Sequence, residues 1–136
     1  MKVLVINNDG GNIDIERDVL EKAFPGQVEV KFVPSPDRDL ITKEVTDADA
    51  VISVCVDFDK ETIATMKNCK IIATQTIGFD TINLKAATEA GIYVTNNPDY
   101  CVEEVAAQAV TLILACNRNI VLHNKLTHDK DRKSVV

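Results

Sequence analysis

Two short stretches of this 136-residue chain carry the residue types from which a binding site could be built. The first, TQTIGFDTIN (residues 74–83), follows an apolar run and contains a single glycine, Gly78. Without a Cβ at 78, a bound group can come close to the backbone amides of that turn. Exposed amides in such a turn suit an anion, for example a carboxylate. Taken alone, the same glycine could equally serve nothing but a turn, with Asp80 as its cap. The second stretch, TNNPDYC (residues 95–101), follows the next apolar run and offers two asparagine amides, a turn fixed by Pro98, and the phenol of Tyr100. Tyr100 could hydrogen-bond or pack on a small substrate, or simply anchor the helix that follows.

Other reactive side chains are sparse. The two histidines, His123 and His128, lie in a polar tail, HNKLTHDKDRKSVV, where a solvated role is the simpler reading than general acid–base work. Cys55, Cys69, Cys101 and Cys116 show no CxxC spacing, and each sits in or beside an apolar segment. They read as reduced structural thiols and not as a disulfide framework or a metal set. Lys and Arg number 15 against 21 Asp and Glu, a net charge of -6, and aromatics are only 4%. That balance excludes the basic face a phosphate backbone requires, and the scarcity of aromatics excludes a stacking platform for single strands. No nucleic-acid partner is expected.

The elements that must position those loops follow from periodicity. Five apolar runs rich in Val and Ile recur at Val3 to Ile6, Val28 to Val33, Ala50 to Val56, Ile71 to Ala73 and Ile92 to Val94. Helical patterns separate them, which is the βαβ signal. The first helix presents Ile15, Val19, Leu20, Ala23 and Phe24 on one face, with Asn12 as its cap and Pro25-Gly26 as its end. A short second helix spans about Asp39 to Val45, with Leu40, Ile41 and Val45 apolar. A third runs from about Lys60 to Lys67, capped by Asp59, with Ile63 and Met66 inward. A fourth is capped by Asn83 and stops at Gly91. All runs but the second are continuous, as befits strands covered on both faces, while the second alternates like an edge. The expected fold class is α/β, a flavodoxin-like three-layer sandwich whose five-stranded parallel sheet has the order 2-1-3-4-5. In such a sheet ligands sit at the carboxyl ends of the strands, where the Gly78 and Tyr100 loops both lie.

A last helix, from Val102 to about Arg118, is apolar around more than one stripe and so is expected to be buried on more than one side. The chain divides on this reading into a domain over 1–118 and a polar helical extension or tail over 119–136. The longest apolar stretch, Val105 to Cys116, falls short of the roughly 20 residues a bilayer requires, and the N-terminal MKVLVINNDG has too short an apolar run for a signal peptide. The expectation is a soluble, cytoplasmic protein with no membrane partner.

The segment from Lys70 to Ile120 resembles the D-isomer-specific 2-hydroxyacid dehydrogenases. The likeness rests on Gly78, Asp80, Ile82, Leu84, Ala86-Ala87, Gly91-Ile92, Val94, Asn96, Pro98, Tyr100 and Val105-Ala106. The resemblance implies the substrate-binding domain of an NAD-dependent enzyme, in the lactate-dehydrogenase-like branch, that oxidises small 2-hydroxy acids or reduces 2-keto acids. It implies that Ile77 and Gly78 lend amides to the substrate carboxylate, that Thr76 begins the loop where other members place a glycine, and that Tyr100 lies against the substrate. The glycine-rich dinucleotide fold that binds NAD in that family does not follow within this sequence. The chain is therefore expected to be truncated before it and inactive alone, with no catalytic residue of its own. Its last apolar helix would then be left uncovered, and a homodimer through Val102 to Cys116 would cover it.

Rival readings of the same fold fit less well. A phosphoacceptor receiver would use Asp9, Asp57 and Thr74, but at the fifth strand it needs a lysine where this chain has Asn96-Asn97-Pro98. A flavodoxin needs hydroxyl residues after the first strand, where NNDGGNID has none; there Asn8 and Asp9 could instead face an interdomain cleft. A regulatory binding domain without redox activity remains the alternative.

Overall fold

The Val- and Ile-rich runs form strands β1 (Lys2–Ile6), β2 (Glu29–Val33), β3 (Ala50–Ser53), β4 (Ile71–Thr74) and β5 (Tyr93–Thr95) in a computed structural model that describes residues 1–7 and 11–129. Asn8, Asp9 and Gly10, which the readings of the first loop invoke, and the tail from 130 lie outside the described residues. Every strand pairing is parallel and the sheet order is β2-β1-β3-β4-β5, the order expected from the sequence. The chain forms two compact units, Met1–Pro98 and Asp99–Val136. Position 118, where the sequence reading divides the chain, lies at the break between the last two helices.

Right-handed crossovers place α1 (Asp14–Ala23) on one face of the sheet and α2 (Arg38–Glu44), α3 (Lys60–Thr65) and α4 (Leu84–Glu89) on the other. The core lies on the three-helix side, where Leu4, Ile6, Val51 and Ile72 meet Ile41, Val45, Ile63, Met66 and Ala87. Strand β1 is buried on both faces, Val3 through Ile6. Strands β3 and β4 alternate between buried and half-buried residues, so double coverage holds only for β1. The far face has just one helix of this unit to cover it.

That helix departs from expectation. None of α1 is buried, and Ile15, Val19 and Phe24 of its apolar face are exposed. Periodicity reports which face is apolar; it does not supply the surface that covers it. Asn12 also acts one residue earlier than a cap would, its Oδ1 accepting from the Asp14 amide at 2.7 Å while Ile13 takes the cap position without a side-chain bond. Leu40, expected on the inner face of α2, is exposed, and burial falls to Ile41 and Val45, the latter in a 3-10 turn, Val45–Asp47.

The other caps are as expected. Asp59 accepts from the Thr62 amide at 2.8 Å and receives Arg38 Nε at 2.7 Å; the amide and the guanidinium hold its carboxyl below the usual carboxylate range. Asn83 accepts from the Ala86 amide at 3.0 Å, and Gly91 ends α4 at φ +70°, a left-handed conformation that side chains resist.

The second unit contains α5 (Val102–Asn117) and α6 (Ile120–His128), joined through Asn119 in the left-handed region at φ 48°. Glu103 and Glu104 occupy the first turn of α5, where negative charge complements the helix dipole. The expected burial of α5 is not found, since none of its residues is buried. A unit of two helices cannot enclose a helix that is apolar around its circumference. Among the described residues no single helix is long and apolar enough to cross a membrane; α5 and α6 reach that measure only together, across a 57° bend. All four cysteines carry free thiols, and burial pushes the Cys69 thiol up.

Candidate functional site

The loop after β4 is held at both ends before its middle is considered. At its start the Gln75 amide donates to the Ser53 carbonyl at 2.9 Å, carrying the β3–β4 pairing one residue beyond the strand. At its end Phe58, fully buried, pairs with the chain as a strand would: its amide donates to Thr81 O at 2.8 Å, and its carbonyl accepts from the Asn83 amide at 2.9 Å. Residues 76–80 therefore span two fixed points at the carboxyl rim of the sheet, where parallel α/β sheets keep their ligand sites.

Between those points three successive carbonyls are each claimed by a donor of the same unit. Asn97 donates its amide to Thr76 O at 3.0 Å, Asn96 Nδ2 donates to Ile77 O at 2.8 Å, and the Thr76 hydroxyl donates to Gly78 O at 2.8 Å. In a trans peptide the C=O of one residue and the N–H of the next point in opposite directions. With the carbonyls of Thr76 and Ile77 turned toward the β5 loop, the amides of Ile77 and Gly78 point away from it. Neither of these amides, nor that of Phe79, donates to an acceptor among the described residues, and all three residues are exposed. An exposed turn with free N–H groups has the polarity that suits an anion. It contains no cationic side chain.

Gly78 is not demanded by the backbone. Its φ lies outside the left-handed region, and a Cβ there would meet only Asp80 Oδ2, at 3.8 Å. Glycine leaves the backbone at 78 open to close approach.

Of the residues singled out from the sequence, Thr76, Ile77 and Gly78 come together in this loop, whereas Tyr100 belongs to the second unit, exposed in the turn ahead of α5. His123 lies in α6, half-buried, and His128 ends it. The sequence reading gave Asn96 and Asn97 no part in aiming the Gly78 loop, and it gave Phe58 no role. Their importance comes from parallel neighbours in the sheet, a relation no local pattern encodes. Gln75 has a second tie, donating from Nε2 to Glu16 Oε1 of α1 at 2.8 Å.

A family profile for the D-isomer specific 2-hydroxyacid dehydrogenase catalytic domain matches residues 3–111. This chain belongs to that family. Among its dehydrogenase relatives, D-3-phosphoglycerate dehydrogenase of Mycobacterium tuberculosis is 36% identical over 99 residues, which cover 72% of this chain and 19% of the relative. A glyoxylate reductase of Pyrococcus horikoshii is 31% identical over 118 residues, covering 85% of this chain and 34% of the relative. Among solved structures, D-lactate dehydrogenase of Aquifex aeolicus, crystallised with NAD and lactic acid, superposes with a TM-score of 0.82 at 21% identity over 97% of this chain and 38% of its own, a likeness of fold. The chain thus spans a fifth to two fifths of the length of these dehydrogenases.

Two glycines of this family member should separate on substitution. Gly91→Ala places a Cβ at φ +70° and should lower stability by about 1 kcal/mol. Gly78→Ala should leave stability unchanged or raise it by about 0.4–1 kcal/mol through the unfolded chain. Chemical denaturation of both variants checks this; a Gly78→Ala loss as large as that of Gly91→Ala would contradict the reading of an open loop.

Proposed function

We propose that the Gly78 loop receives the carboxylate of a small 2-hydroxy or 2-keto acid on the amides of Ile77 and Gly78, as the substrate-binding part of an NAD-dependent D-2-hydroxyacid dehydrogenase. The observation that carries this is the pair of outward, unclaimed amides, aimed by carbonyls that Asn96 and Asn97 pin. Family membership adds that the anion is a 2-hydroxy or 2-keto acid, and the resemblance adds Tyr100 as a substrate-side residue. Amides fix the acid by its charged end and leave C2 free for hydride transfer, the reaction that defines an oxidoreductase of this kind. The side chain that distinguishes one acid from another is not engaged by backbone groups, which is consistent with one family serving phosphoglycerate, glyoxylate and lactate enzymes.

NAD supplies or accepts the hydride in such an enzyme, and the residues of this chain do not fit it. Its glycines, at 10, 11, 26, 78 and 91, nowhere have GxG spacing, and the helix after the first strand carries Asp14 and Glu16 in its first turn, where a pyrophosphate would be repelled. The chain by itself therefore binds the acid and does not turn it over. Titrating the 15N-labelled chain with oxalate, a two-carbon dicarboxylate probe, should shift the amide resonances of Ile77 and Gly78 before others, while NADH with pyruvate shows no oxidation. Unmoved Ile77 and Gly78 signals would sink the binding reading, and ordinary turnover would sink the division of roles.

The apolar helix carries a second part of the proposal. Leu112, Ala115 and Cys116 of α5 and Val121 and Leu122 of α6 line a groove of ≈570 Å³, and Val105, Val110, Ile113 and Leu114 are also exposed. We propose that Val102 to Cys116 closes against its copy in a homodimer, in the cytoplasm, where four free thiols persist. Sedimentation velocity should give a dimer whose dissociation follows dilution; a monomer throughout, at high concentration, would refute it.

A further inference from the structure

The hydroxyl of Thr76 is spent inside the protein. A hydroxyl has one proton. That of Thr76 goes to Gly78 O at 2.8 Å, because a carbonyl can only accept. In the 2.7 Å contact between Thr74 Oγ1 and Thr76 Oγ1 the proton must then come from Thr74. The two hydroxyls form a one-way relay, Thr74 to Thr76 to Gly78 O, begun on a residue that the end of β4 buries. A glycine at 76 would leave Gly78 O without this donor.

The consequence lies at the next amide. Pinning Gly78 O back onto the Thr76 hydroxyl turns the Phe79 N–H away from it, by the peptide-plane opposition that also aims Ile77 and Gly78. Phe79 N, like the other two, donates to no acceptor among the described residues. A carboxylate has about four lone-pair sites and can accept from all three. We propose that the Thr74–Thr76 hydroxyl relay is a positioning device that adds the Phe79 amide to the loop, making it a three-donor carboxylate clamp. This rests on the anion reading of the Gly78 loop and deepens it: Thr76 acts through Gly78 O, without donating to the acid.

The test uses the full chain and oxalate as probe, with per-residue amide shifts as the readout. In the native chain the Phe79 amide should move with those of Ile77 and Gly78. Thr76→Val keeps the shape and removes the proton; it should abolish the Phe79 response, preserve those of Ile77 and Gly78, and weaken binding about three- to tenfold, the loss expected for one hydrogen bond. Thr76→Ser, which restores the hydroxyl, should recover all three responses and bind within about twofold of the native chain. A merely structural role would move the three amides together. Movement of Ile77 and Gly78 without Phe79 in the native chain overturns the relay and leaves the two-amide site standing, as does an unchanged Phe79 response in Thr76→Val. Silence at all three amides overturns both.

Discussion

A trans peptide unit cannot turn its oxygen one way without turning the following N–H the other. That covalent constraint organises the rim of the first unit, because Thr76 O and Ile77 O are drawn toward the residues after β5 and the amides behind them are thereby exposed. Each tie is worth only about 1 kcal/mol net, yet direction matters more here than strength. Unclaimed amides in the interior would be costly, but at an exposed turn water solvates them. Charge-assisted bonds to such amides contribute about 1.5–3 kcal/mol each, and on the proposed function they hold the acid without a lysine or arginine in the loop and against the nearby Asp80 carboxylate.

The sheet makes the constraint durable. Ser53 and Phe58 from the β3 side and Asn96 and Asn97 from the β5 side grip one loop, and Phe58 is itself locked into the core. Parallel pairing brings these residues together although more than forty positions separate the first from the last. The flanking caps, Asp59 and Asn83, fix the starts of α3 and α4 behind the loop, so the site is carried by rigid elements with only its amides presented. On the proposed function such a unit holds and orients an acid, and moving a hydride requires a donor placed over C2.

The sheet order and the element ends were legible because they depend on residue type and spacing: Val and Ile runs for strands, Asp59 and Asn83 as caps, and Gly91 where only a left-handed ending serves. For Gly78 the sequence suggested a point of close approach, and neither its φ nor a clash requires the glycine. Coverage was not legible. The apolar faces of α1 and α5 are clear in the sequence and lie uncovered, because amphipathicity states a demand for a partner surface without providing one. Nor were the roles of Asn96, Asn97 and Phe58, which act across strand neighbours, or the relay of Thr74 and Thr76, which depends on which oxygen each hydroxyl meets.

Where an acid sits on the loop is the decisive observation. A crystal structure of the chain grown with oxalate should place carboxylate oxygens about 3 Å from the amide nitrogens of Ile77 and Gly78, on the side of the loop away from Asn96. Oxalate bound elsewhere, with those amides facing only solvent, would contradict it.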